Sequence, residues 1–255
     1  MKPKLLKIHP NLVESFTARR DLSPAVNNIW HYHEEIELIY ICKGEGIRFV
    51  GENISRFRSG EIFILGSNLP HYWRFDQEYF EENGKVPDVY VIHFNKNFLG
   101  EKFINLPENI TLKKLFNQTD VGLSIRSKHH KQLIQLIIQI VENEEKLRLI
   151  NFLNLIYNIA NDSICKPITS STFKKEFDKK EQERMQDIYN YTFLKFKQKI
   201  SLEDIASIAK LSPNSFCKFF KSNTKKAILN ESCKHFTNHW EHASRKTEPH
   251  FWRQP

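Results

Sequence analysis

Apolar and polar residues alternate in short segments between Trp30 and Phe94, and glycine, proline or asparagine separates these segments. Alternation with a period of two is typical of strands that bury one face. Short strands at this spacing predict a small antiparallel sandwich or barrel. The segments expected to form strands are Glu35–Cys42, Ile47–Val50, Glu61–Leu65 and Val89–Phe94.

A helical pattern replaces the alternation from Lys128 to Ser163, where apolar residues recur every three or four positions. We expect two helices here, separated near residues 143–145. Their apolar stripes are wide enough to cover a barrel, and a dimer seam is a second use for them. The acidic segment 78–88 contains glycine and proline and is expected to be a surface loop.

A change in composition at residues 166–182 predicts two domains, because this segment is rich in proline, serine and charged residues and is typical of a linker. Residues 1–165 would form the first domain, and a chain of 255 residues is long enough for a second one. Residues 183–225 are expected to form a partial helix-turn-helix domain. Residues 226–255 lose the helical periodicity, and we expect a disordered tail.

Two short helices joined by a tight turn are predicted within Ser201–Ser222. Ser201 is a suitable N-cap for the first helix, and Asp204 stands three residues later, as in a capping box. Ser212 is a suitable N-cap for the second helix, and Pro213 occupies the first helical position, where a missing N–H costs nothing.

The second of these helices carries a small, polar and basic face formed by Asn214, Cys217, Lys218 and Lys221, which recur at helical spacing. Such a face suits a helix that lies in the major groove of DNA. Two ordinary amphipathic helices with a solvated basic face would show the same spacing.

The net charge of +8 is unevenly distributed along the chain. Residues 1–165 carry equal numbers of acidic and basic side chains, so the whole excess lies in residues 166–255. This division favours a neutral first domain and a second domain that binds a polyanion.

The four cysteines form no C-x-x-C pair, which favours neither a disulfide framework nor a zinc knuckle and suits the reducing cytoplasm. No apolar run is long enough to span a membrane. We therefore expect a cytoplasmic protein with no membrane partner.

A cluster of candidate ligands begins with His31, His33 and Glu37, and His71 follows a later proline. On a regular strand the first three residues point to one face, because each is an even number of positions from the next. His71 could approach them from a neighbouring strand. Three imidazoles and one carboxylate suit a divalent metal such as Zn, Ni, Mn or Fe.

Two other interpretations of this cluster remain open. The same side chains could bind a polar ligand without metal, with Trp73 stacking on a sugar, or they could bond to one another in a structural role. His93 ends a predicted strand and could line the same cavity, although a single histidine of this kind usually has a structural role.

Two runs resemble the N-terminal cupin domain of AraC-type transcriptional regulators: WHYHEEIELIYICKGEG at 30–46 and SGEIFILGSNLPHYW at 59–73. The spacing H-x-H-x3-E-x6-G in the first run also resembles the first metal motif of cupins. SLEDIASIAKLSPNSFCKFFK at 201–221 resembles the first helix-turn-helix of the same regulators. The two resemblances follow the order of domains in that family.

This resemblance implies an α+β fold, with a cupin-like antiparallel β-barrel and packed helices, a linker, and a small all-α helix-turn-helix domain. It also implies that the partners are a small-molecule effector, DNA and a second copy of the chain in a homodimer. No cofactor is certain, because the family does not require metal, but the complete set of histidines and glutamate allows one. A sugar is one candidate effector.

By position in this family, the second helix of the pair would enter the major groove. Asn214, Ser215, Cys217 and Lys218 would lie nearest the bases, and Lys221 would contact phosphate. The chain departs from the family at Lys225, where a helix-ending glycine is usual. It also shows no second helix-turn-helix in residues 226–255.

We therefore expect a ligand-responsive, DNA-binding transcriptional regulator rather than an enzyme. One alternative is a metal-dependent cupin enzyme that uses His31, His33, Glu37 and His71. Another is a degenerate regulator that senses its effector and dimerises without binding DNA.

Overall fold

The computed structural model describes residues 4–6, 8, 14–26, 29–142, 147–170, 184, 187–188, 191 and 200–224. The chain divides into two units, one of Lys4–Lys175 and one that includes Glu176–Pro255. Each unit buries apolar residues of its own. The boundaries expected from the sequence for the linker and for the second domain stay predictions.

The strands of the first unit form two sheets. In chain order they are β1 Lys4–Leu5, β2 Phe16–Asp21, β3 His31–Tyr32, β4 Ile36–Lys43, β5 Gly46–Val50, β6 Asn53–Phe57, β7 Ile62–Leu65, β8 His71–Phe75, β9 Asp88–Phe94, β10 Leu123–Ser127 and β11 Ser163–Pro167. One sheet has the order β1-β3-β8-β5-β6, and the other has the order β11-β10-β7-β4-β9-β2. All neighbouring strands are antiparallel except β1 and β3.

The described residues of the first unit form the α-helices α1 Glu101–Ile104, α2 Ile110–Gln118, α3 His130–Glu142 and α4 Arg148–Asp162. The second unit contains α5 Leu202–Ile208 and α6 Pro213–Thr224. The two helices predicted over 128–163 are therefore confirmed, while the break expected at 143–145 lies outside the described residues. None of the helices described is both long and apolar enough to cross a bilayer.

Alternate residues of the six-stranded sheet line two separate cores, as the pleat of a strand requires. One face packs against α2, α3 and α4 in a layer that contains Leu38, Phe94 and Phe152. The other face packs against the five-stranded sheet in a layer that contains Ile39 and Trp73. The polar residues of interest lie in the second layer, between the sheets.

The predicted fold class is confirmed, since the chain combines antiparallel sheets, packed helices and a small helical unit. The four predicted strands are present, and each of their ends agrees with the prediction to within one residue. Several other strands were not predicted, because their alternation is short or interrupted by charge: β2, β6, β8 and β10.

Strand β11 continues into the first two residues of the segment predicted as a linker. Lys166 and Pro167 end strand β11, and the N–H of Ile168 donates to the carbonyl of Gly122 at 2.9 Å. The proline lies at the end of an edge strand, where a missing N–H is tolerated. Residues 171–182 lie outside the described part of the chain.

Candidate functional site

Four histidines and one glutamate meet between the two sheets. The exposed fraction of each residue is 2% or less. The register explains why they meet: the Cα atoms of His31 and His71 are partners on β3 and β8, and those of Glu37 and His93 are partners on β4 and β9. His33 lies between β3 and β4. The structure therefore brings together all four predicted residues of the cluster and adds His93.

The expectation that His31, His33 and Glu37 share one regular strand is wrong. Strand β3 ends at Tyr32, and β4 of the other sheet begins at Ile36. The chain crosses from one sheet to the other between these strands. The three side chains still converge, because the crossing puts them on facing sheets rather than along one face.

The carboxylate of Glu37 lies at the centre of this group. Its Oε2 atom is 3.0 Å from Nε2 of His71 and 3.7 Å from Nε2 of His33. Its Oε1 atom is 3.1 Å from Nε2 of His93. The contact at 3.7 Å is too long for a hydrogen bond and the two shorter ones are poorly aligned, so both oxygens and the four Nε2 atoms of the cluster lack a hydrogen-bond partner among the described residues.

Backbone carbonyls fix the orientation of three of the imidazoles. Nδ1 of His31 lies 2.6 Å from the carbonyl oxygen of Ile29. Nδ1 of His33 lies 3.0 Å from the carbonyl oxygen of Glu35, and Nδ1 of His71 lies 2.8 Å from that of Leu69. A carbonyl only accepts, so Nδ1 carries the proton and donates in each case. In the neutral ring Nε2 then keeps its lone pair, which faces the cluster.

His93 has the opposite arrangement. Its Nδ1 atom is 3.1 Å from NH1 of Arg19, a group that only donates. Nδ1 of His93 therefore accepts, and in the neutral ring the proton is on Nε2, beside Glu37. His93 thus offers Glu37 a proton, whereas His31, His33 and His71 offer the cluster lone pairs.

Burial and the central carboxylate shift the pKa values of the cluster in opposite directions. Burial lowers the pKa of His31 to about 3 and also lowers that of His93. Burial disfavours the charged form of His33 too, but the nearby Glu37 outweighs this effect and raises the pKa of His33. Burial alone favours neutral Glu37, but the surrounding histidines hold its pKa well below the usual range.

The cluster fits a divalent cation. Two groups, His31 with His33 and His71, and His33 with Glu37 and His93, each have possible ligand atoms within 4.8 Å of one another. A cation would satisfy the buried lone pairs that the protein leaves unpartnered. The tautomers favour His31, His33, His71 and Glu37 as the set that would hold it, with a proton competing for Nε2 of His33.

Trp73 lies on β8, on the same face as His71 but two residues away. Its ring packs in a tilted arrangement on Phe63 and edge-on against Phe57, with centroid distances of 5.0 and 5.3 Å. An apolar pocket beside Trp73 is also lined by Ile39, Ile41, Phe75 and Val89.

The predicted caps of the second unit are present. Ser201 and Asp204 form a capping box at the start of α5, and Oγ of Ser212 accepts from the N–H of Ser215 at 3.3 Å at the start of α6. Phe216 and Phe220 are buried. Along the rest of α6, Cys217 is half-buried, and the exposed side chains include Asn214, Ser215, Lys218 and Lys221. Lys225 and residues 226–255 lie outside the described residues.

All five residues of the cluster were named from the sequence, although His93 was given only a possible role, and Arg19, which contacts His93, was not. Arg19 was missed because its segment, β2, shows no clear alternation; its burial pattern is intermediate at most positions. The weak signal for His93 was its place at the end of a strongly apolar strand.

No family model matches the chain. Among curated proteins, an alignment 186 positions long shows 28% identity and covers 68% of this chain and 25% of a probable ATP-dependent helicase of Methanocaldococcus jannaschii. A second alignment, 207 positions long, shows 22% identity and covers 78% of this chain and 67% of YdeC, an uncharacterized HTH-type transcriptional regulator of Bacillus subtilis. The chain therefore spans a quarter of the helicase and two thirds of YdeC.

Among solved structures, ToxT of Vibrio cholerae with a bound unsaturated fatty acid has a TM-score of 0.39 and 12% identity, over 86% of this chain and 95% of ToxT. The AraC-like activator CuxR has a TM-score of 0.35 and 10% identity, over 89% of this chain and 72% of CuxR. A cupin barrel protein of Rhodopseudomonas palustris has a TM-score of 0.26 and 20% identity, over 35% and 57% of the two chains.

Proposed function

We propose that this chain is a ligand-responsive transcriptional regulator of the AraC type, with a sensor in the barrel and a DNA-binding helix pair. The observation that carries the proposal is the face of α6, where polar and basic side chains are exposed directly opposite two buried phenylalanines. The similarity to YdeC, named as an HTH-type regulator, supports the same assignment.

In this proposal α6 is the recognition helix. Asn214 and Lys218 face the bases, where an amide pairs with adenine and an amine donates to guanine. Ser215 contributes a short polar contact, and the half-buried Cys217 packs against a base edge. Lys221 contacts phosphate, so it positions the helix without specifying the sequence.

The barrel would bind a small molecule, with a sugar as one candidate, at the buried cluster between the sheets. A divalent cation held by His31, His33, His71 and Glu37 would act there as a Lewis acid that attracts oxygen atoms of the effector. An effector changes DNA affinity only if it binds one conformation of the protein more tightly than another.

A homodimer is part of the proposal, because paired half-sites need paired recognition helices. The start of α4 supports it, since Leu149 and Ile150 there are 41% and 60% exposed. Sedimentation of the full chain tests this point, and a strict monomer at micromolar concentration would remove the dimer from the proposal.

Fluorescence anisotropy with DNA from upstream of its own gene tests DNA binding. We expect Lys218→Ala to weaken binding to the preferred site by roughly tenfold, and Lys221→Ala to weaken all sequences and reduce the salt slope by about one. Lys113→Ala, a change of an exposed lysine in the first unit, is the matched control. Equal affinity for the upstream and random DNA at moderate salt would overturn specific binding.

A metal-dependent enzyme is the second candidate, because three lone pairs and a carboxylate converge in the barrel. Metal analysis of the purified chain, followed by turnover assays with and without that metal, distinguishes the two candidates. If the chain binds an effector and dimerises but has no affinity for DNA, the degenerate regulator is the correct assignment.

A further inference from the structure

A series of side-chain contacts leads from the edge of the six-stranded sheet to the histidine cluster. It runs from Asp21 through Arg19 and His93 to Glu37. The exposed fraction of the side chain is 36% for Arg19 and 12% for Asp21, but only 2% for His93 and 0% for Glu37. The contacts therefore join residues near the surface to the carboxylate at the centre of the cluster.

The pairing of β2 with β9 explains why Arg19 reaches His93. The Cα atoms of Thr17 and His93 are partners, and so are those of Arg19 and Val91. Residues opposite one another on paired strands share a face, and Val91 belongs to the core between the sheets. Arg19 therefore faces the same core as His93, one diagonal step away along the sheet.

Asp21 fixes the orientation of the Arg19 side chain. Nε of Arg19 donates to both carboxylate oxygens of Asp21, at 3.1 Å to Oδ1 and 3.0 Å to Oδ2. Hydrogen bonds between charged groups are stronger than those between neutral ones. The pair therefore holds NH1 of Arg19 beside Nδ1 of His93, 3.1 Å away.

His93 extends this constraint to Glu37. Because NH1 of Arg19 only donates, Nδ1 of His93 accepts, and the neutral ring carries its proton on Nε2. This Nε2 atom lies 3.1 Å from Oε1 of Glu37, whereas Oε2 of Glu37 lies 3.0 Å from Nε2 of His71. His93 therefore places its proton next to one carboxylate oxygen, and the other oxygen is turned toward a ring that keeps its lone pair.

We propose that Arg19 and Asp21 are positioning residues of the cluster: they hold His93 with its proton beside Oε1 of Glu37, so that Glu37 offers a divalent cation Oε2 alone. This inference rests on the cation site of the proposed function, but it does not require DNA binding. Neither Arg19 nor Asp21 touches the ion. They act through His93, as the outer partners of metal ligands do.

Two roles for Arg19 predict opposite effects on cation affinity. A guanidinium group that acted only through its charge would repel a cation, so its removal would tighten binding. A guanidinium group that positions His93 supports binding, so its removal weakens it. The sign of the change in Arg19→Leu therefore separates the two roles.

Competition between the full chain and a chromophoric chelator for Zn²⁺ measures this change. We expect Arg19→Leu to weaken Zn²⁺ binding about tenfold. Arg20→Leu is the matched control, since Arg20 is the next residue of β2, lies opposite Tyr90 on the face toward the helices and pairs with Asp88 at 2.8 Å. Its Zn²⁺ affinity should equal that of the unaltered chain.

A double variant tests whether Arg19 acts through His93. If it does, Arg19→Leu should cause no further loss of Zn²⁺ affinity in a chain that already carries His93→Phe, because the two changes break the same series of contacts. Losses that add in the double variant would show that Arg19 acts by another route, and they would overturn the inference.

Nitrogen NMR of the metal-free full chain, labelled with ¹⁵N-histidine, tests the contacts without any cation. The His93 signals are those that His93→Phe removes, and we expect them to show a proton on Nε2 and none on Nδ1. Arg19→Leu should shift the Nδ1 signal, because that nitrogen loses its donor. Asp21→Asn should shift the same signal, although Asp21 bonds to Arg19 and not to His93.

Three further results would overturn the inference: unchanged or tighter Zn²⁺ binding in Arg19→Leu, a His93 ring with its proton on Nδ1, or an Nδ1 signal that neither variant moves. If Arg19→Leu fails to fold, Asp21→Asn and the position of the His93 proton still decide the question.

The failure of this inference differs from the failure of the proposed function. Zn²⁺ binding that Arg19→Leu leaves unchanged would refute the positioning role and leave the cation site intact. An unaltered chain that binds no Zn²⁺ would refute the cation site, and with it the role of Arg19 in cation binding. Zn²⁺ binding that depends on Arg19, without any DNA affinity, would refute the regulator and support the positioning role.

Discussion

The two faces of the six-stranded sheet line cores of different chemistry. The core against the helices is made of aliphatic and aromatic side chains, among them Leu38, Phe94 and Phe152. The core between the sheets includes Glu37 and Arg48, together with the four histidines of the cluster. The buried side-chain atoms that lack a hydrogen-bond partner all belong to this second core, except one oxygen of Glu52, as far as the described residues show.

This difference separates stability from binding. An unpartnered buried polar atom costs free energy, so a core that contains several of them is not optimised for stability alone. The apolar core has no such cost and can hold the fold together. We therefore expect changes in the apolar core to affect unfolding, and changes between the sheets to affect ligands.

The largest effect is expected for Phe152→Ala in the apolar core. Phe152 is fully buried, and its ring centroid is 4.6 Å from that of Phe16 and 4.9 Å from that of Phe94. The cavity should lower the free energy of unfolding by about 3–5 kcal/mol. Urea denaturation followed by circular dichroism measures it, with Asn154→Ala, an exposed polar position of the same helix, as the control. If the free energy of unfolding fell by less than about 1 kcal/mol, the apolar core would not be the main source of stability.

Glu37→Gln should have the next largest effect, on metal rather than on unfolding. The amide keeps the shape of the side chain but loses the charge that attracts a cation, so Zn²⁺ affinity should fall about a hundredfold or more. Competition with a chromophoric chelator measures it. Glu34→Gln is the control, because Glu34 is an exposed carboxylate of the same segment. Equal Zn²⁺ affinity in Glu37→Gln and the unaltered chain would exclude Glu37 as a ligand.

His93→Phe should weaken Zn²⁺ binding less, by about ten- to a hundredfold, because His93 orients Glu37 without binding the ion itself. His93→Gln keeps an N–H donor and should recover part of the loss. The same competition assay measures both variants. If the Phe and Gln variants are equally weak, His93 is a ligand, and the tautomer inferred from Arg19 is wrong.

The smallest effect is expected for Tyr90→Phe, at the edge of the apolar core. The Tyr90 hydroxyl donates to Oε1 of Glu142 at 2.9 Å, and the Glu142 side chain is 43% exposed. Loss of one such hydrogen bond should lower the free energy of unfolding by about 0.5–1 kcal/mol. Urea denaturation measures the change, and Zn²⁺ affinity should stay the same. A large loss would show that the apolar core depends on polar contacts after all.

Much of the fold could be predicted because alternation and caps are local signals. The apolar residues of β4 predicted a strand, and Ser201 and Ser212 indicated where the two helices begin. The convergence of His31 with His71 followed from the motif. The crossing between sheets after Tyr32 could not be predicted, since it depends on how two sheets pack and not on any residue near it.

The features missed at the site are those that depend on partners far away in the chain. His93 needed Arg19, on a strand with no clear pattern, to fix its tautomer. Arg48 looked like an ordinary charged residue on a short strand, and only its position opposite Trp73 shows that it is inside the barrel. The edge strand β11 was hidden by a proline that usually signals a linker.

The enclosure of the histidine cluster would also limit the rate at which an ion exchanges there. Because its five side chains are 2% exposed or less, an ion would not reach Nε2 of His31 or His71 by diffusion alone. Exchange would have to wait for a local opening of the sheets, which is rarer than a collision with solvent. The fraction of occupied clusters would then follow the ion concentration averaged over many such openings, and brief changes in that concentration would not alter it.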